Sequence, residues 1–184
     1  MSAGRSAARS LPALAARAQL GDRSALEQLL RHLQEPLAEH IRGIVRDDDL
    51  AADALQDALI IICRRLGTVR QTEWVRAWAY RVATREALRS IRRSGRHEAR
   101  PLDDMPALPD PSADELRIGD EELLAELPAR LAALPAGAQT VLRLHYLQSL
   151  TQQEVAEALE IPIGTVKSRL AYGLMSLRKT WASE

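Results

Sequence analysis

Residues 151–170 read TQQEVAEALEIPIGTVKSRL, and the fold follows from this stretch. Thr151 followed three residues later by Glu154 is a capping box, in which hydroxyl and carboxylate each accept from a free backbone N–H at a helix start. Val155, Ala156 and Leu159 give that helix one apolar face. The run Glu160-Ile161-Pro162 ends it, because proline has no N–H to donate and its φ suits the first turn of a new helix. The spacing predicts a second helix with the apolar stripe Ile163, Val166, Leu170, Leu174, Leu177 and Trp181, at steps of three and four. Turned away from that stripe are Thr165, Ser168 and Tyr172, flanked by Lys167 and Arg169. Two helices, a tight turn, and small polar and basic side chains on the second describe a helix-turn-helix that can enter the DNA major groove. A plain helical hairpin with a solvated outer face has the same pattern, so the pattern alone leaves both open.

Outside this motif the composition is that of an all-α chain. Alanine, leucine and arginine dominate, phenylalanine is absent and β-branched runs are rare. The 184 residues suffice for one domain or two small ones. The formal net charge of zero hides a segregation. Residues 64–100 carry eleven arginines against three glutamates, a local net of +8, and residues 101–127 carry nine acids against one arginine, a local net of −8. Such blocks speak about partners more than the total does. Cys63 is the sole cysteine, which excludes an internal disulfide and suits a reducing compartment. Its place after Ile60, Ile61 and Ile62 predicts a buried thiol. His32, His40, His97 and His145 lack metal-ligand spacing. No apolar run approaches membrane-spanning length, and the N-terminus has no uninterrupted apolar core, so a cytoplasmic protein is expected. Paired carboxylates in an apolar setting, nucleophile–base arrangements and phosphate-cradling loops are all missing from the sequence. The expectation is therefore no enzyme, no catalytic residue, no metal, no cofactor and no small-molecule substrate.

Toward the N-terminus, residues 11–20 predict a short helix ended by Gly21. Asp22 can cap the next, whose stripe is Leu26, Leu29, Leu30, Leu33, Leu37, Ile41 and Ile44, with Pro36 expected to kink or split it. Asp47-Asp48-Asp49 opens a third helix, at the end where the helix dipole favours acids. On it Asp49, Asp53 and Asp57 recur every four residues beside Gln56, a polar ridge opposite Leu55, Leu59 and Ile62; the pattern alone fits a plain solvated face as well as a binding surface. Residues 66–73 (LGTVRQTE) read as a loop. The helix over 74–93 puts Trp74, Trp78, Arg81, Arg85, Arg89 and Arg92 on one face, with Arg93 near its edge. Arginines beside tryptophans combine phosphate neutralisation with aromatic faces for base stacking. Whether the tryptophans serve the core or a ligand stays open. Residues 95–122, with Pro101, Pro106, Pro109, Pro111 and many acids, read as an extended linker. Helices over 123–134 and 136–147 complete a compact four-helix unit with the opening motif.

The run Glu154 to Leu170 closely resembles the promoter-reading motif of the extracytoplasmic-function (ECF) sigma factors, small sigma-70-type subunits of bacterial RNA polymerase. Ile161, Pro162, Gly164, Thr165, Val166, Lys167, Ser168, Arg169 and Leu170 all fit its pattern. Other stretches resemble the same family in the same order: Gly21, Asp22, Ala25 and Leu29 in the opening helix, and the segment AADALQDAL over 51–59. The resemblance implies that Asp53, Gln56 and Asp57 grip the coiled-coil clamp of core RNA polymerase. It implies that the 66–73 loop captures a base flipped from the minus-ten element. It assigns Trp74, Trp78, Arg81, Arg85, Arg89, Arg92 and Arg93 to minus-ten DNA, and Thr165, Lys167, Ser168, Arg169 and Tyr172 to minus-thirty-five DNA. Three positions depart from the family: Ala52 stands where an acid is frequent, Arg85 where asparagine is common and Arg89 where aspartate is common. The added charge implies stronger sequence-independent DNA affinity.

The expected architecture is two small α-helical domains: residues 1–97 for core binding and promoter opening, an acidic linker over 98–122, and residues 123–184 as the helix-turn-helix domain. The partners implied are core RNA polymerase, promoter DNA and an anti-sigma factor. A stand-alone operator-binding dimer would explain the helix-turn-helix but leave the acidic ridge and the arginine–tryptophan helix without a role. An adaptor with no nucleic-acid role would leave the +8 block unexplained.

Overall fold

A computed structural model describes residues 2–45, 47–94 and 130–181, apart from the side chains of residues 2–10, 132, 180 and 181. Among the described residues there are seven α-helices and no strand. They fall into two compact units, one built on the first four helices and the other on the last three. The linker expected over 98–122 and most of the helix expected over 123–134 lie outside the described residues.

The first unit holds α1 (Ser2–Gln19), α2 (Arg23–Val45), α3 (Asp48–Arg65) and α4 (Val75–Arg93). Helix α1 starts earlier than the sequence predicts and runs through Pro12. Gly21 then turns the chain at φ 92°, a left-handed value that a residue with a Cβ adopts only under strain. Asp22 caps α2, accepting from the Ala25 N–H at 3.0 Å. The Arg17 guanidinium grips its other oxygen at 2.6 and 3.0 Å. Asp47 caps α3 in the same way, accepting from the Leu50 N–H at 3.1 Å. Pro36 does not split α2, which continues to Val45. Leu33, Leu37 and Ile41 are all buried around it, so packing outweighs the one missing hydrogen bond.

Helices α2, α3 and α4 pack on one another, and α1 lies against α2 and the turn that leads into α4. The inward row of α3 is Ala51, Ala54, Ala58 and Ile62, while Leu55 and Leu59, expected to face the core, are half-buried. Helix α4 likewise buries Ala79, Ala83 and Ala87. Small side chains on both buried rows let the helices approach closely, which leaves the longer leucines at the flanks. Cys63, expected to be buried, is exposed, because the inward row passes through Ile62. Two buried polar groups, His40 and Thr84, join α2 to α4. Thr84 Oγ1 donates its single proton to the Tyr80 carbonyl at 2.8 Å. It must therefore accept from His40 Nε2, also at 2.8 Å. Burial raises the Tyr80 phenol well above the ordinary tyrosine value of 10.

In the second unit a 3-10 turn over Leu131–Ala133 precedes α5 (Ala136–Leu142), α6 (Gln152–Leu159) and α7 (Ile163–Trp181). The single helix expected over 136–147 changes to a π-helical turn at Arg143–Leu147. His145 Nδ1 donates to the Leu150 carbonyl at 2.7 Å and the Leu150 N–H to the Leu144 carbonyl at 3.0 Å, which closes the corner. Ser149 takes a left-handed φ of 52° there. Gly173 sets the spacing between α5 and α7, since a Cβ on it would come within 2.4 Å of Leu142 Cδ1.

Candidate polymerase and nucleic-acid interfaces

With its alanine row turned inward, α3 presents the opposite row to solvent. Asp49, Asp53 and Gln56 are exposed and Asp57 is partly so. The ridge that the four-residue spacing predicts is thus a continuous acidic and amide surface, extended by Ile60 and Cys63, both exposed. One member is engaged within the unit: Asp57 Oδ2 accepts from Arg93 Nη2 of α4 at 3.1 Å. The sequence sets these two residues on different surfaces, and packing of α3 on α4 joins them.

Along α4, Arg85, Arg89, Arg92 and Arg93 are exposed, while Trp74, Trp78 and Arg81 are intermediate. The alternative left open for the tryptophans resolves between its extremes: each ring is partly packed and partly accessible. One face so composed offers charge for phosphates and edges of aromatic surface for bases. Glu86, the residue after Arg85, is buried and lies 3.5 Å from Arg89 Nη1.

The 66–73 segment is more ordered than a plain loop, with 3-10 turns at Leu66–Thr68 and Thr72–Trp74. Leu66 and Val69 are buried, and Thr68 Oγ1 donates to the Arg65 carbonyl at 2.8 Å. Val69, Arg70, Gln71, Trp74, Ala77, Trp78 and Arg81 gather around one depression. Two indole rings, two guanidinium groups and an amide are among the groups around it. Gln19, the last residue of α1, reaches this segment: Nε2 donates to the Leu66 carbonyl at 2.9 Å and the Val69 carbonyl at 2.8 Å. Sequence reasoning missed Gln19, and with a separation of 47 residues from Leu66 no local pattern signals it.

The helix-turn-helix forms as its sequence dictates. The Glu154 N–H donates to Thr151 Oγ1 at 3.2 Å and the Thr151 N–H to Glu154 Oε2 at 2.7 Å, a complete capping box. Helix α6 ends at Leu159; Glu160 after it is a non-glycine residue at φ 56°, and the Ile161 N–H returns to the Ala156 carbonyl at 3.2 Å. Pro162 directly precedes the next helix, its carbonyl accepting from the N–H groups of Thr165 and Val166 at 2.9 and 3.2 Å. Val166, Leu170, Leu174 and Leu177 are buried as expected, but Ile163 is 41% exposed at the helix tip. Thr165, Lys167, Ser168 and Tyr172 are all partly accessible, and Ser168 Oγ donates to the Thr165 carbonyl at 3.1 Å. Arg169 departs from the expected outward set: it is buried, with 4% of its surface accessible. It stands three residues after Val166 and four before Gly173, both buried, so helical geometry turns it toward the packed side of α7.

Among the described residues no cluster of three or more His, Cys, Asp and Glu could hold a metal ion, and no helix is long and apolar enough to cross a membrane.

Comparison with known proteins places both units in context. Residues 29–97 match the family model "Sigma-70 region 2", and residues 124–179 match "Sigma-70, region 4". The ECF RNA polymerase sigma factor SigM of Mycobacterium tuberculosis is 32% identical over 152 residues, covering 82% of this chain and 74% of the relative. The RNA polymerase sigma-H factor of Pseudomonas aeruginosa is 28% identical over 166 residues, covering 85% of this chain and 86% of the relative. The ECF RNA polymerase sigma-E factor of Escherichia coli has the same identity over the same length. In fold the chain is similar to CnrH, solved in complex with the cytosolic domain of CnrY, with a TM-score of 0.65 and 20% identity over 95% of this chain and 99% of that one.

Proposed function

Because the chain belongs to the ECF RNA polymerase sigma factors of the sigma-70 family, we propose that residues 1–97 dock on core polymerase and open the minus-ten element, while residues 123–184 read the minus-thirty-five element. Its function is that of the family: it directs core polymerase to promoters in transcription initiation. The observation that carries the assignment of sites is the pairing, on one helical unit, of an exposed acidic ridge on α3 with an arginine- and tryptophan-bearing face on α4. The ridge of Asp53, Gln56 and Asp57 suits a basic helical partner on the polymerase. Trp74, Trp78, Arg81, Arg85, Arg89, Arg92 and Arg93 suit a strand whose bases have left the stack, stacking on rings while phosphates meet arginines. On α7, Thr165, Lys167, Ser168 and Tyr172 remain the candidates for the minus-thirty-five groove, and the buried Arg169 supports that helix from behind. The acidic segment 98–122 would thread through polymerase between the two DNA contacts.

In this reading the chain supplies binding energy and the polymerase supplies the bond-making chemistry. The protein acts where polymerase does, in the cell interior. A protein inhibitor of the anti-sigma kind is a further partner, supported by the family resemblance and by the bound protein in the CnrH complex. Run-off transcription with core polymerase on a pool of genomic promoter fragments tests the assignment. New discrete transcripts that depend on the chain are expected. No transcript and no association with core polymerase would overturn the reading.

A further inference from the structure

The 66–73 segment carries part of the rim of the depression. Between Leu66 and Val69 the one backbone hydrogen bond is from the Val69 N–H to the Leu66 carbonyl, at 3.1 Å. The two carbonyls at the ends of that turn are both held by one side-chain amide, Gln19 Nε2, which spends both of its protons on them. Gln19 is itself well fixed. It closes α1, beside the corner where Arg17 grips Asp22 and Asp22 caps α2. The turn is thereby tied to the α1–α2 corner as well as to its own chain neighbours. Arg70 and Gln71 follow Val69 directly and line the depression together with Trp74 and Trp78.

We propose that Gln19 is a positioning residue for base capture: its amide fixes the Leu66–Val69 turn, and through it the Arg70–Gln71 wall against which an unstacked base is read. This rests on the reading of the depression as a minus-ten site. Base discrimination needs donors and acceptors held to within a fraction of an ångström, whereas phosphate attraction tolerates looser placement. Loss of the clamp should therefore blur the choice among bases while leaving charge-driven binding intact.

The test uses full-length protein with core polymerase and single-stranded oligonucleotides of a responsive minus-ten region, permuted one base at a time. Gln19→Met keeps the side-chain length and removes both donors. Gln19→Lys restores donors that can bridge two carbonyls, and a ratio of affinities between sequences is insensitive to its added charge. Gln19→Met is expected to reduce discrimination at one base position by roughly three- to tenfold, with core affinity and binding to random-sequence DNA unchanged. Gln19→Lys is expected to recover most of it. Undiminished discrimination in Gln19→Met, an equal loss of core affinity, or no recovery in Gln19→Lys would each overturn the proposal. A wild-type protein without base discrimination would remove the minus-ten reading as well, an outcome distinct from a discriminating wild type with an indifferent variant.

Discussion

Asp57→Ala, Arg93→Ala and the double variant form a cycle that separates two roles the structure gives to one carboxylate. Asp57 sits on the ridge proposed to meet polymerase, yet it already pairs with Arg93 at 3.1 Å, with side chains 42% and 53% exposed. A pair so open to water contributes about 0.2–1 kcal/mol to folding stability, and less at high salt. Denaturant unfolding of the four proteins should return a coupling in that range that shrinks in 1 M salt. Core binding should behave differently. If Asp57 also accepts from a polymerase cation, its removal costs about 1.5–3 kcal/mol, or roughly ten- to a hundredfold in Kd. Arg93→Ala alone should leave core affinity unchanged or slightly tighter, because it releases Asp57 from its internal partner. Anisotropy titration of labelled protein with core polymerase reads both effects. The reasoning fails if the Asp57→Ala loss disappears in the Arg93→Ala background, since Asp57 would then act only by holding Arg93.

Gly173→Ala forces a Cβ to 2.4 Å from Leu142 Cδ1 and should destabilise the second unit by roughly 1–3 kcal/mol in denaturant unfolding of the full chain; wild-type stability would mean that Leu142 yields freely. Arg169→Ala should lower the stability of the same unit through lost packing of its buried stem, without changing which promoters are chosen. A sequence-selective loss of DNA binding at unchanged stability would return Arg169 to the DNA face. Asp22 is held below its ordinary value of 3.8, first by the Ala25 N–H and then by the Arg17 guanidinium. A lowered carboxylate stabilises the fold above the unfolded value and ceases to do so as pH falls through the folded one. Asp22→Asn, which keeps the cap and loses the ion pair, should thus melt below wild type at neutral pH, with the gap narrowing below about pH 4. A gap constant down to pH 2 would contradict this origin.

Much of this protein was legible in its sequence because the decisive signals are local. A capping box needs two residues three apart, and Thr151 and Glu154 bond as that spacing requires. Asp22 and Asp47 cap helices from the same kind of short-range geometry. The stripe Val166, Leu170, Leu174 and Leu177 is buried because helical periodicity alone puts it on one side. Tertiary structure decided what depends on how closely helices approach. Periodicity marked a broad apolar side on α3, but only packing against neighbours selected Ala51, Ala54 and Ala58 over Leu55 and Leu59, and exposed Cys63 beside them. Arg169 lies at the boundary of its helical stripe, a flanking position that is buried in the fold. The Asp57–Arg93 pair and the Gln19 clamp join residues 36 and 47 positions apart. Such contacts follow from where whole helices come to rest, and that is set by the summed burial of their faces, which no short window of sequence contains.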